Sequence, residues 1–266
     1  MEGGIVMIDF DCHAHIYETV TSIAGARYVP TAPAPLTTWR DFQSQYGLKG
    51  GVIVQVSFHG TENSELCAAL AKLDRQRFAG VAVVAIEASD AQLDRLVKAG
   101  VRGIRWNLVR GKDIPDLKTK EVQDLLAKLR ARDLHLELHL EGPRLAPILP
   151  QLVDQGVRIV VDHFGLPSDP NPMRDPLIAA MAKLADATSL FFKFSGHYRS
   201  AFDVTGHAKE ILTAIGDNHI VWGSDWPHTQ HETETDFGTA RSFCDAWGIT
   251  SDGAAASDLY NIHLDP

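Results

Sequence analysis

The chain has 266 residues, of which 45% are hydrophobic and 22% are charged, a composition typical of a globular protein with a sizeable core. The formal net charge of −9 argues against a nucleic-acid partner and against an anionic membrane surface, because both are bound through an excess of lysine and arginine. Three scattered cysteines without a CxxC pair, no long apolar segment and no signal-like N-terminus predict a soluble cytoplasmic protein.

Short β-branched segments alternate with amphipathic helical segments along the chain. Strands are predicted at residues 5–12, 51–57, 78–85, 101–107, 134–140, 157–164, 190–195 and 220–224. Helices are predicted at 36–46, 64–74, 91–99, 120–130, 145–154, 176–185, 208–215, 235–247 and 254–260, with Thr37 or Thr38 as the N-cap of the first. Residues 28–35, which are rich in proline, are predicted to form a loop. No linker divides this pattern, so residues 1–266 are expected to form one domain.

Eight βα units in a chain of this length predict a protein of the α/β class, a single (β/α)₈ TIM barrel. A doubly wound parallel sheet is the alternative. That fold usually carries a glycine-rich phosphate loop after its first strand, where this sequence has DCHAHIYE. The barrel is therefore the favoured architecture.

The histidines concentrate at one face of the predicted barrel. TIM barrels carry their chemistry at the carboxyl ends of the strands. Seven of the 12 histidines close or follow a predicted strand at that end: His13, His15, His59, His139, His163, His197 and His228. His135 and His219 begin strands and are expected at the opposite face, whereas His207, His231 and His263 fall in helices or outer loops.

His13 and His15 are two residues apart, so an extended strand directs both side chains to the same side. Taken alone, an HxH pair is equally compatible with a structural histidine. Together with His139 and Asp225, which end two other strands, the pair forms a set of ligands suited to one divalent metal ion of the zinc type. In this scheme Asp225 takes a proton from water, and His163 orients the water or polarises a carbonyl group.

Cationic side chains fall at the same face. Arg105 and Asn107 belong to the end of the fourth strand, Arg110 lies in the following loop, and Arg199 follows the seventh strand. Arginine forks bind carboxylates through two hydrogen bonds, so these residues predict a small anionic substrate. Solvated surface positions account equally well for Arg110 and Arg199 taken singly. Lys193, inside the apolar segment FFKFSG, is either a catalytic lysine or part of an ion pair in the barrel interior.

Eight motifs follow one another between residues 9 and 228: DCHAHIY, RYVPTAPAPL, GVIVQVSFHGTEN, GVRGIRWNLVR, ELHLEG, IVVDHFGLP, FKFSGHYR and GSDWPH. In this order they resemble the amidohydrolase superfamily, within it the lactone-hydrolase branch that includes 2-pyrone-4,6-dicarboxylate hydrolase. The resemblance implies hydrolysis or isomerisation of a small carboxylated lactone, with Asp225 as general base and His13, His15 and His163 polarising the carbonyl group. The candidate substrate-binding residues are Tyr28, Ser57, His59, Arg105, Asn107, Arg110, His197, Arg199 and His228.

Two positions depart from that branch. His139 stands where the pyrone dicarboxylate enzymes, which resemble this chain but work without a metal, carry a tyrosine; this departure restores a possible metal ligand. Leu166 stands where they carry an arginine, which removes an anchor for one carboxylate and argues against pyrone dicarboxylate itself as the substrate.

The leading hypothesis is a lactone hydrolase acting on a sugar-acid lactone, a muconolactone or a pyrone, with or without one divalent metal ion. A lactone isomerase and a metal-dependent decarboxylase of an unsaturated or aromatic acid could use the same residues. A barrel that binds a sugar acid or a dicarboxylate without converting it is disfavoured, because binding alone does not need Asp225 among four strand-end histidines. The sequence leaves open whether the chain forms a homo-oligomer.

Overall fold

The computed structural model describes residues 8–184, 187–249 and 251–264. Within them, eight parallel strands form one sheet in chain order. The strands are β1 (Phe10–Ala14), β2 (Gly50–Val54), β3 (Phe78–Ala82), β4 (Val101–Asn107), β5 (His135–His139), β6 (Ile159–Val161), β7 (Leu190–Phe194) and β8 (Ile220–Trp222). The segment after β8 returns to β1, where Asp225 N donates to His13 O at 2.8 Å and His15 N donates to Trp226 O at 2.7 Å. The predicted TIM barrel is therefore confirmed.

Helices follow the strands and pack against the sheet. They are α1 (Leu36–Gln45), α2 (Ser64–Leu70), α3 (Asp90–Ala99), α4 (Lys120–Arg130), α5 (Gly142–Leu145), α6 (Leu149–Val153), α7 (Pro176–Met181), α8 (Thr205–Ile215), α9 (Phe237–Ser242), α10 (Cys244–Trp247) and α11 (Gly253–Tyr260). In α3, the Ser89 side chain accepts a hydrogen bond from Gln92 N, and Gly100 ends the helix with a φ of 104°. None of the described helices has the length and apolarity needed to cross a membrane.

Most differences from the sequence prediction concern element boundaries. The helix predicted at 145–154 is two short helices, α5 and α6, because Pro147 between them has no backbone N–H to continue the first one. The predicted helix 235–247 likewise divides into α9 and α10. The N-cap of α1 is Pro35, so the expectation of Thr37 or Thr38 was wrong. Residues 5–7 of the first predicted strand and residue 185 of a predicted helix lie outside the described residues.

An irregularity in β1 decides which of its side chains enter the barrel. The register between β1 and β2 shifts between Asp11 and Ala14. Cys12 packs in the apolar cluster that alternate strand residues and α11 form inside the barrel, and His13 also contacts the interior side chain of Lys193. Two successive residues therefore face inward, as a β-bulge allows. Asp11 faces outward, where it accepts hydrogen bonds from Trp39 Nε1 and Ser224 Oγ at 2.8 and 2.6 Å.

Candidate active site

A cavity of about 240 Å³ opens at the carboxyl ends of the strands. Nine of the predicted catalytic, binding or metal-ligating residues line it: His15, Tyr28, Ser57, Arg105, Asn107, Arg110, His139, His163 and Arg199. His13 and Asp225 are fully buried beside it. The structure thus brings the predicted residues of strands 1, 4, 5, 6 and 8 to one place, because parallel strands of a barrel end at the same face.

One oxygen of Asp225 lies among three imidazole rings. Its Oδ1 atom is 3.8 Å from His13 Nε2, 3.9 Å from His15 Nε2 and 4.0 Å from His163 Nε2. These distances are too long for direct hydrogen bonds, and Oδ1 has no hydrogen-bond partner among the described residues. Room therefore remains between the carboxylate and the rings for an atom of a substrate, a water molecule or a cation.

The other oxygen of Asp225 is held in place. Tyr198 OH and Arg199 Nε each donate to Oδ2 at 2.6 Å. Burial by itself would raise the pKa of Asp225, but the positive charge of Arg199, with His163 and His13, holds it well below its usual value. Asp225 is therefore ionised at neutral pH and has one oxygen available as a base.

The backbone supports this geometry at some conformational cost. Asp225 and His163 have φ values of 59° and 53°, in the left-handed region that residues other than glycine rarely adopt. Gly196 allows the close approach of both residues, because a Cβ atom there would lie 2.8 Å from Asp225 Oδ2 and 2.8 Å from His163 Nδ1. Strained residues of this kind persist where the surrounding structure fixes them, often at functional sites.

Hydrogen bonds orient the rings of His15 and His163. His15 Nδ1 lies 2.8 Å from Val54 O, and since a carbonyl oxygen only accepts, the proton of His15 is on Nδ1. Its Nε2 lone pair therefore faces Asp225. Burial, with the charges of His13 and Arg105, lowers the pKa of His15 to about 3. His163 Nδ1 pairs with Ser195 Oγ at 2.9 Å, and burial lowers the pKa of His163 well below its usual value.

A buried ion cluster lies next to the rings. Lys193 Nζ donates to Glu137 Oε2 at 2.5 Å and lies 3.2 Å from His13 Nδ1. Arg105 donates to Asp162 Oδ2 through Nε at 2.9 Å and Nη2 at 2.7 Å, and its Nε is 3.3 Å from Glu137. Much of the hydrogen-bonding capacity of Arg105 is thus directed at protein carboxylates. Of the two roles considered for Lys193, the structure shows the interior ion pair.

Two further arginines line the cavity without a carboxylate partner within ion-pair distance in the described part of the chain. Arg27 Nη2 donates to Asn107 Oδ1 at 3.0 Å, and Arg110 Nη2 donates to Gln230 Oε1 at 2.6 Å. Burial and the charges of Arg110 and Arg105 lower the pKa of Arg27. Like charges that face one cavity favour an anionic ligand there.

Three predicted binding residues lie outside the cavity lining. His59 packs edge-on against Phe58 at a ring distance of 4.5 Å, and His197 packs on Phe243 at 4.0 Å. The ring of His228 contacts Tyr198 at 5.8 Å. His231, expected in a helix or an outer loop, does line the cavity.

Some residues of the site were not identified from the sequence: Arg27, Glu137, Glu141, Asp162, Tyr198, Thr229 and Gln230. The signal was nevertheless present for several of them. Asp162 directly precedes His163 at the end of β6, and Arg27 directly precedes Tyr28. Glu137 alternates with His139 on β5, so both side chains point into the barrel.

The residues fit a divalent cation by type, burial and convergence. His13, His163 and Asp225 each offer one ligand atom within 4.8 Å of the others. The atoms His13 Nε2, His163 Nε2 and Asp225 Oδ1 are buried without a hydrogen-bond partner among the described residues. Nitrogen and oxygen donors of this kind suit a zinc-type ion, provided that each imidazole offers a lone pair. His15 Nε2, which lies 3.9 Å from Asp225 Oδ1, is a further candidate ligand atom. His139 lies in a different group, with His163 and Asp162.

Comparison with known proteins places this barrel in a family. The sequence model of the amidohydrolase family matches residues 10–256, and the chain belongs to that family. It is 27% identical over 239 residues to 2-pyrone-4,6-dicarboxylate hydrolase of Comamonas testosteroni, covering 82% of this chain and 76% of the relative. It is 28% identical over 230 residues to D-galactarolactone isomerase of Agrobacterium fabrum, with coverages of 82% and 76%.

A solved structure extends the similarity over nearly the whole barrel. The crystal structure of a probable 2-pyrone-4,6-dicarboxylic acid hydrolase from Acinetobacter baumannii, with citric acid bound, matches this fold with a TM-score of 0.82. The two sequences are 27% identical, and the match covers 96% of this chain and 99% of that one. The chain is therefore a hydrolase of the lactone-hydrolase branch of the amidohydrolase superfamily, as its motifs predicted.

Proposed function

We propose that the chain hydrolyses the ester bond of a small carboxylated lactone, with Asp225 as the general base. The observation that carries the proposal is the buried Oδ1 atom of Asp225, which has no hydrogen-bond partner among the described residues and faces three imidazole nitrogens at 3.8, 3.9 and 4.0 Å. An ionised carboxylate with one oxygen free beside a cavity is suited to take a proton from a bound water. The names of the two relatives support a lactone as the substrate.

The arginines orient the substrate in this proposal. Arg27 and Arg110, which have no carboxylate partner within ion-pair distance in the described residues, bind the carboxylate of the lactone at the cavity wall. Tyr28 and Ser57 line the same cavity and offer hydroxyl groups to the polar groups of the ring. This placement directs the ester carbonyl towards the histidines and holds the reacting atoms near the base.

The chemical step then needs only one proton carrier. Asp225 Oδ1 removes a proton from water while the water oxygen bonds to the carbonyl carbon, and imidazole N–H groups stabilise the charge on the carbonyl oxygen. The ring C–O bond breaks, and Asp225 returns the proton to the leaving oxygen, which gives an open-chain hydroxy acid. A divalent cation, if bound, would be held by His13, His15, His163 and Asp225 and would supply additional polarisation of the carbonyl group and a more acidic water.

Proton release during turnover of a lactone panel tests this function. The panel contains sugar-acid lactones, muconolactones and pyrone carboxylates, each with a neutral analogue that lacks the carboxylate. We expect hydrolysis of carboxylated members only, and a loss of about 10²–10⁴-fold in kcat for Asp225→Asn. Asp94→Asn is the matched control, because Asp94 is an exposed aspartate that pairs with Arg132 on the outside of the barrel.

Product analysis separates the remaining reactions that the sequence leaves open. Hydrolysis gives a hydroxy acid and one proton, isomerisation gives a new lactone without net proton release, and decarboxylation gives carbon dioxide. Unchanged turnover in Asp225→Asn would contradict the role of the base, and equal rates with the neutral analogues would contradict the role of the arginines. Parallel assays with a chelator and with added Zn²⁺ determine whether the reaction requires a metal ion.

A further inference from the structure

Two neighbours of His13 Nδ1 favour opposite positions of the imidazole proton. Lys193 Nζ lies 3.2 Å away in hydrogen-bond geometry, and an ammonium group can only donate, so Nδ1 must accept and the proton must be on Nε2. Asp162 Oδ1 lies 3.3 Å away, and a carboxylate can only accept, so it would need the proton on Nδ1. A neutral imidazole can satisfy only one of them.

The surroundings favour Lys193. Its side chain is fully buried and is fixed by the 2.5 Å ion pair with Glu137, and its other hydrogen-bond partner in the described structure is His13 Nδ1. Asp162 is held through its other oxygen by Arg105, and its Oδ1 atom, although 3.3 Å from His13 Nδ1, is not in hydrogen-bond geometry with that ring nitrogen. We propose that Lys193 is a positioning residue that keeps the proton of His13 on Nε2, so that His13 enters the site as a hydrogen-bond donor and not as a metal ligand.

The HxH pair is then divided into two roles. His15 donates from Nδ1 to Val54 O and presents a lone pair at Nε2, whereas His13 presents an N–H at the same position. Both Nε2 atoms face Asp225 Oδ1, at 3.8 and 3.9 Å. His13 is thus the ring that donates to a lactone carbonyl oxygen, and a cation could use its Nε2 only after this proton moved. The inference rests on the proposed site but not on a particular substrate.

Nitrogen-15 NMR of the imidazole rings measures the proton positions directly, because a protonated and a bare ring nitrogen differ in chemical shift and in coupling to the ring protons. In the chelator-treated wild-type protein we expect the His13 proton on Nε2 and the His15 proton on Nδ1. His15 is therefore an internal reference of the opposite tautomer. The signals are assigned by their loss in His13→Asn and His15→Asn. A wild-type His13 protonated on Nδ1 overturns the proposal without any variant.

The paired variant Lys193→Met with Glu137→Gln removes the donor without leaving a buried unpaired carboxylate. We expect the His13 proton to move to Nδ1, facing Asp162, while His15 keeps its tautomer. Calorimetric titration with Zn²⁺ alone should then show binding at least about 10-fold tighter than in the wild type. Lys49→Met, which removes an exposed lysine paired with Asp9, is the control and should change neither result.

An unchanged tautomer in the paired variant, or an unchanged Zn²⁺ affinity, overturns the role of Lys193. These readouts do not depend on turnover. If no lactone is hydrolysed and the proton is on Nε2, the proposed function fails and this inference stands. If lactones are hydrolysed and the proton is on Nδ1, the proposed function stands and this inference fails.

Discussion

Arg105 connects the stability of the barrel to the carboxylates next to the active site. Its side chain is 3% exposed, and it donates to Asp162 at 2.9 and 2.7 Å and lies 3.3 Å from Glu137. Both carboxylates are completely buried. In Arg105→Met the side chain keeps much of its volume but loses the charge. Asp162 then has Lys193 Nζ, at 3.8 Å, as its nearest cationic amine or guanidinium group in the described structure.

Removing one partner of a buried ion pair costs about 3–5 kcal/mol, because the remaining charge is left without compensation. For a chain of 266 residues, 1 kcal/mol corresponds to about 2 °C in Tm. We therefore expect Arg105→Met to lower Tm by about 6–10 °C in a thermal unfolding experiment followed by circular dichroism. The double variant Arg105→Met with Asp162→Asn should recover part of the lost Tm, since it also removes the buried negative charge that Arg105 no longer compensates.

Arg132→Met is a matched control. Arg132 also binds two aspartates, Asp90 and Asp94, each at 2.7 Å, but both of these side chains are 64% exposed. Exposed pairs contribute about 1 kcal/mol or less, so Tm should fall by about 2 °C or less. Equal losses of Tm in the two variants would refute the argument that burial of the carboxylates determines the cost.

Two further predictions concern the histidine pair. In Gly223→Ala, the new Cβ would lie 2.4 Å from His13 Cβ and 2.9 Å from His13 N, so we expect β1 to shift, with a loss of about 1–3 kcal/mol in the free energy of unfolding measured in urea and a fall in kcat. Gly253→Ala is the control, because its Cβ would meet its nearest atom at 3.7 Å and the substitution should be close to neutral. Equal effects of the two substitutions would contradict the packing argument. Because the pKa of His15 is lowered to about 3 in the folded state, the unfolded chain binds more protons below pH 6.5, and stability falls as the pH is lowered from 6.5 towards 3. Between pH 8 and pH 5 this residue alone should reduce the free energy of unfolding by about 2 kcal/mol in the presence of a chelator. His15→Gln should make the free energy of unfolding less dependent on pH, whereas His263→Gln, at an exposed position, should not. The same dependence in the wild type and both variants would contradict the lowered pKa of His15.

The barrel could be predicted from the sequence because the evidence for its strands and helices is local. Period-2 and period-3.6 patterns identify strands and helices independently of their neighbours, and β4 and α4 have the predicted bounds. The ends of the strands were harder to predict, and Val157 to Phe164 shows why: the strand is only Ile159–Val161, and although Phe164 is again apolar, the backbone has already turned at His163 with a positive φ. Apolarity alone does not report that change of direction.

For the site, the sequence determined which residues meet, since His13, His15, His139, His163 and Asp225 all belong to the ends of parallel strands. Tertiary structure decided what each of them can do. The bulge in β1 turns His13 towards Lys193, a residue 180 positions away, and that contact bears on which nitrogen carries the proton. Arg105 was predicted to bind substrate, but much of its hydrogen-bonding capacity goes to buried carboxylates, whereas Arg27 lines the cavity without one within ion-pair distance among the described residues. Such roles depend on strand register and on charges brought together by folding, and no local pattern in the chain encodes them.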